Sequence, residues 1–126
     1  MRKEIFAAAL LLIILAASAI NIIFINKMSN SIISDAEKIS SLAENGSWDE
    51  AENEAKSALD SWNNWKRYAN TVLKHDRTDI VSETFYDLLL AVRLKDETTT
   101  ALTAEKLSEM LSEISSSEMP NPESIF

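Results

Sequence analysis

His75 is the single histidine of the chain, and Asp79 and Glu83 follow it at steps of four, so all three share one face of any helix that contains them. One imidazole and two carboxylates on a common face have the elements of a divalent-metal site. The same residues near a helix start also do what dipole compensation and surface solvation ask of them, and with a single imidazole metal binding is not expected. No Ser-His-Asp or Cys-His set can be assembled, because no serine is distinguished from the others and cysteine is absent. The sequence therefore assigns no catalytic residue, no metal ligand and no cofactor, and an enzyme is not expected.

A second candidate is aromatic. Trp48, Trp62 and Trp65 recur with Ala51, Ala55, Ala58, Ala69 and Val72 at steps of three and four, and small residues beside large rings leave room for an apolar ligand. Large and small residues also alternate wherever helices interdigitate, and core packing is the preferred reading of the stripe. Trp48, Trp62, Trp65, Ala58 and Ala69 are carried forward as a seam for a partner or a ligand. Asp49, Glu50, Glu52 and Glu54 suit a solvated face and a helix first turn. They lack the spacing and the glycine of a calcium loop.

These residues need helices to position them, and the rest of the sequence supplies helices. Ala, Leu, Glu, Lys and Ser dominate, and one glycine and two prolines allow few of the reversals that a sheet requires. Ile32, Ile33, Ala36, Ile39, Leu42 and Ala43 give a helix over about 28–44 one apolar face. Asn45 and Gly46 predict a left-handed C-cap, and Ser47 with Glu50 is a capping box that opens a second helix over 48–74. Asn45-Gly46-Ser47 is also a glycosylation sequon. Helix two, at about 40 Å, exceeds its neighbours, so it either bends near Asn63 and Asn64 or overhangs. Asp76 is expected to cap a third helix over 77–95 with apolar Val81, Phe85, Leu88, Leu89 and Val92. Residues 96–100 make the next connection. A fourth helix over 101–117 carries Ala104, Leu107, Met110, Leu111 and Ile114, and residues 119–126, with Pro120 and Pro122, form an extended tail whose Ile125 and Phe126 tuck back onto the domain. Four such stripes bury one another in an all-α, antiparallel four-helix bundle.

Ahead of the bundle, residues 5–25 carry no charge, and at 1.5 Å per residue they cross the ~30 Å hydrocarbon core of a bilayer. A cleaved signal peptide is the alternative, since Arg2-Lys3, an apolar stretch and Ala17-Ser18-Ala19 have its layout. Ile20, Ile22, Ile23, Phe24 and Ile25 extend the run beyond that point, which favours a retained anchor over 5–26. Arg2 and Lys3 before the span, against Lys27 and then mixed charges after it, place residues 1–4 in the cytoplasm and 27–118 outside. With about four residues inside, no inward signal is expected. Asn21 is a candidate polar contact to another transmembrane helix, or a side chain reaching the interface. The chain holds 12 Lys+Arg and 20 Asp+Glu. Removing Arg2, Lys3 and Glu4 leaves the domain near −9, which disfavours nucleic acid and flat docking on an anionic leaflet.

The junction Ala43-Glu44-Asn45-Gly46-Ser47-Trp48-Asp49-Glu50-Ala51 is similar to the turn of a tetratricopeptide repeat, but nothing returns at that family's period of about 34 residues. The domain also resembles the four-helix sensors of chemoreceptors, without their returning membrane helix. A wider likeness rests on the short span, Gly46-Ser47-Trp48, Trp62 and Trp65, His75 ahead of an acidic helix start, and the Pro-Asn and Ile-Phe tail. In these the chain resembles the family called domain of unknown function 4363, small membrane-anchored helical proteins of spore-forming Gram-positive bacteria. The resemblance implies an extracytoplasmic domain associated with a multi-pass membrane protein and brings no catalytic residue. The expected role is thus a single-pass accessory protein of the cell membrane that docks on a membrane partner or on a second copy. A binding module for a small apolar ligand is the alternative.

Overall fold

No glycine or proline falls between residues 2 and 44, and nothing in that stretch stops a helix once it has started. In the computed structural model, which describes the backbone of residues 2–72 and 75–118 and the side chains of 2–68 and 77–115, α1 runs unbroken over Arg2–Glu44. The apolar run at 5–26 and the amphipathic segment at 28–44 are therefore one helix of 43 residues. Three more follow, α2 at Trp48–Val72, α3 at His75–Arg93 and α4 at Glu97–Glu118. The described residues are all helix and turn, with no strand.

Both visible helix stops have the same construction. At the end of α1 the Gly46 N–H donates to the Ala43 carbonyl at 3.1 Å and the Ser47 N–H to the Leu42 carbonyl at 2.9 Å, with Gly46 at φ 74°. At the end of α3 the Lys95 N–H donates to Val92 at 3.0 Å and the Asp96 N–H to Ala91 at 3.1 Å, with Lys95 at φ 55°. Each is a Schellman closure, in which a left-handed residue turns the chain and satisfies two orphan carbonyls. Glycine serves at the first, whereas at the second a lysine bears the steric conflict of its own Cβ.

One predicted boundary is corrected. The connection placed at 96–100 is confined to the turn, because Asp96 itself caps α4. Its carboxylate accepts from the Thr99 N–H at 3.1 Å and the Thr99 hydroxyl at 2.7 Å, and the Thr100 N–H closes onto its carbonyl at 2.9 Å. Those bonds, the backbone one foremost, hold the Asp96 carboxyl below its ordinary pKa. The described part of helix three begins at His75 and includes Asp76, and the capping role read for the Asp76 side chain lies outside the described residues. α2 shows no interruption at Asn63 and Asn64.

α1 lies against α2 and α4, and α3 lies against the same two. All five apolar positions named for α3 are buried, as are Ile32, Ala36, Ile39, Ala43, Ala104, Leu107, Leu111 and Ile114. The core also reaches lower on α1 than its sequence pattern suggests, taking in Ile25, Met28 and Ser29. Partial burial begins at Asn21. From there to Ala43 is about 35 Å of helix, a match for α2, so the overhang expected of helix two is covered by α1. Trp62 is the largest enclosed side chain, 0% exposed. Its Nε1–H donates to Ser82 Oγ at 2.8 Å, Ser82 donates on to the Thr78 carbonyl at 3.0 Å, and the Phe85 ring stacks at 6.0 Å.

Ser82→Ala takes the only acceptor shown for the Trp62 N–H, so it is expected to lower unfolding free energy by about 1–3 kcal/mol in chemical denaturation, with unchanged stability the contrary result. Lys95→Gly removes the left-handed conflict and is expected to raise it by about 1 kcal/mol; a loss would show that Lys95 is not strained in solution.

Candidate interaction surfaces

The aromatic seam divides on inspection. Ala51, Ala55, Ala58 and Trp62 face inward and are closed over, and Trp48 packs partly buried at the start of α2. Ala69 and Val72 lie outside the described side chains, as do His75, Asp76 and the predicted tail with Ile125 and Phe126. Trp62 has no ring face left for a ligand. Trp65 is different, because one turn lower the seam meets the apolar part of α1. Its ring sits 4.4 Å from Phe24, edge to face, and Phe24 lies 4.3 Å from Tyr68. The Tyr68 hydroxyl donates to the Asn21 side-chain oxygen, and Ser115 of α4 donates to Asn26 one turn above. Asn21 thus has a partner within its own chain, which linear reading of the sequence does not bring to light.

Below that cluster α1 leaves the bundle. Residues 2–20 are exposed throughout, and Ile5, Phe6, the Leu10 to Leu15 run and Ile20 lie between 53% and 80% exposed. This is one described helix long and apolar enough to cross a membrane.

Above it, α1 and α4 enclose a shallow groove with small and acidic walls: Ala36, Glu37, Ser40 and Glu44 face Ala104, Glu105 and Ser108. Ile33, Glu109, Ser112 and Glu113 continue it toward the lower end. Its carboxylates make it receptive to a basic segment. On α3 and the turn after it, Tyr86, Leu90 and Leu94 stand exposed at steps of four, with Leu102 of α4 also exposed. Leu90, Leu94 and Ala91 line a further cleft with Thr99 and Thr103. The signal for this stripe was present as an apolar repeat on the side of α3 opposite Phe85 and Leu88.

Ion pairs tie α2 to both neighbours. Lys38 meets Glu54 at 3.2 Å, Lys66 meets Asp79 at 3.7 Å, and Arg93 Nε donates to Glu52 at 3.0 Å. The Arg93 hydrogen bond is the main reason the Glu52 carboxyl sits below its ordinary pKa. Asp35 is shifted the other way, raised first by desolvation and then by the neighbouring Glu54 carboxylate, with Lys38 offsetting part of the effect. Among the described residues no group of three or more His, Asp or Glu side chains is arranged to hold a metal ion.

A family model described as Domain of unknown function (DUF4363) matches residues 19–125, and the chain belongs to that family. No curated protein and no solved structure matches it. The matched region opens two residues before Asn21, so it takes in the stretch of α1 on which Trp65 and Tyr68 pack.

A carboxyl raised by folding contributes stability that is complete below its unfolded pKa and is lost as pH rises through the folded one. Asp35→Asn is therefore expected to leave the urea midpoint unchanged near pH 3 and to raise it at neutral pH. Equal midpoints at both pH values would show that Asp35 carries no such penalty.

Proposed function

We propose that this protein is a single-pass membrane-anchored accessory domain, held outside the cell as an antiparallel, up-down four-helix bundle, that docks on a membrane protein partner. The observation that carries this reading is the exposed Leu and Ile surface of α1 over residues 5–20, which belongs to the same helix that walls the bundle. Exposed apolar surface of this extent is unfavourable in water and favourable in hydrocarbon. The antiparallel arrangement is supported by the order of contacts: Lys38 with Glu54 and Phe24 with Trp65 between α1 and α2, and Glu52 with Arg93 and Trp62 with Ser82 between α2 and α3.

Orientation rests on Arg2 and Lys3 ahead of the apolar run, against Lys27 and then the mixed Asp35, Glu37 and Lys38 after it. For the partner, two surfaces offer complementary chemistry, the acidic α1–α4 groove for a basic segment and the Tyr86, Leu90, Leu94 stripe for an apolar one. The domain's negative charge works against nucleic acid. An apolar-ligand role for the tryptophan seam is weakened by the enclosure of Trp62.

Crosslinking in native membranes followed by mass spectrometry is expected to join Lys38 or Lys106 to a membrane protein. Protease treatment of intact cells is expected to remove the helical domain. Purification of the protein strictly alone and monomeric under mild detergent, with no crosslinked partner, would overturn the docking role, and protection of the domain in intact cells would overturn its orientation.

A further inference from the structure

The length of α1 outside the bundle sets a depth. Residues 5–20 supply about 24 Å of exposed apolar helix, short of the ~30 Å a hydrocarbon core requires. The missing ~6 Å is residues 21–24, the turn that α2 partly covers through Trp65 and Tyr68 on Phe24. The bundle cannot stand clear of the bilayer and still let α1 span it. We infer that this end of the bundle is seated in the lipid head-group layer, with Trp65 and Tyr68 at the boundary of the hydrocarbon and Lys66 and Arg67 meeting anionic lipid phosphates. The inference rests on the anchoring reading above.

Residue chemistry at this end agrees with that seat. Trp and Tyr, half apolar and half hydrogen-bonding, favour the membrane interface. Trp65 and Tyr68 are both part-exposed, and Ile23 beside them is 66% exposed. Charge is also segregated along α2. Residues 61–72 contain Lys66 and Arg67 and no Asp or Glu, whereas in the first half Asp49, Glu50, Glu52, Glu54 and Asp60 outnumber Lys56. Glu54 lies about 18 Å of helix from Lys66, roughly twice the ~8 Å screening length in physiological salt. A net charge near −9 therefore says little about the field at this end. The nearer acids are Asp60 on α2, Asp76 and Asp79 on α3, the last paired with Lys66 at 3.7 Å, and Glu113 on α4, which shares a cleft with Arg77. Arg67 is exposed beside them on α2, as are Lys27 on α1 and Arg77 on α3.

The test uses the full chain in vesicles of phosphatidylcholine with or without phosphatidylglycerol, carrying a nitroxide on the head group. Flotation with the vesicles reports anchoring, and tryptophan quenching reports depth. Head-group quenching is expected in wild type and lost in Trp65→Phe, which keeps a ring against Phe24, while Trp62 in the core and Trp48 at the far end of α2 contribute none. Phosphatidylglycerol is expected to increase the quenching, and Lys66→Gln with Arg67→Gln to abolish that increase. Protein that floats but whose Trp65 is quenched by aqueous acrylamide and not by the nitroxide overturns this inference and leaves the anchor standing. Quenching indifferent to both phosphatidylglycerol and the two substitutions overturns the recognition of anionic lipid. Failure to float overturns the anchor and the inference together.

Discussion

Everything in this molecule hangs on the mechanical continuity of α1. A helix without glycine or proline from residue 2 to 44 has no inexpensive place to bend, so the orientation of its apolar half and that of its bundle half are a single variable. The bundle is thus fixed in height and tilt relative to whatever surrounds residues 5–20. A flexible linker would have let the domain float free. This construction joins the bundle and the exposed apolar half of α1 through one continuous helix, which holds each at a set distance from the other.

The second organising element is α2. Its upper half is acidic and alanine-rich on the inner face, which lets helices approach closely. Its lower half is basic and aromatic. Trp62 sits where these halves meet, with its N–H satisfied by Ser82 and its ring stacked on Phe85, and so joins α2 to α3 through both shape and a buried polar contact. The surface ion pairs to Glu52, Glu54 and Lys66 add register more than stability, since each is largely solvent-screened.

Much of this was legible in the sequence, and the reasons differ by feature. The inner faces of α3 and α4 followed from spacing alone, because burial on one side of a helix leaves a period of 3.6. The Gly46 turn was legible because glycine relieves a left-handed conflict. The end of helix three near Lys95 was placed, but not its left-handed closure, since a lysine in that conformation violates the local preference. Asp96 was passed over as a cap because residues 96–100 read as a polar connection, although aspartate is among the residues that favour a helix N-cap. Ile25 was hidden at the end of an apolar run that a membrane would explain equally well, and Met28 and Ser29 lie just past Lys27, ahead of Ile32, the first position that the apolar spacing picked out. Asn21 and Tyr68 are 47 residues apart, and no local pattern joins them.

Amide hydrogen exchange on the full chain in nanodiscs, resolved along residues 18–30, tests the continuity of α1 most directly. Uninterrupted protection from the apolar run through Met28 and into the bundle is the result this account predicts. A window of fast exchange between residues 22 and 28 would mean that a hinge separates tether from domain, and the account would fail.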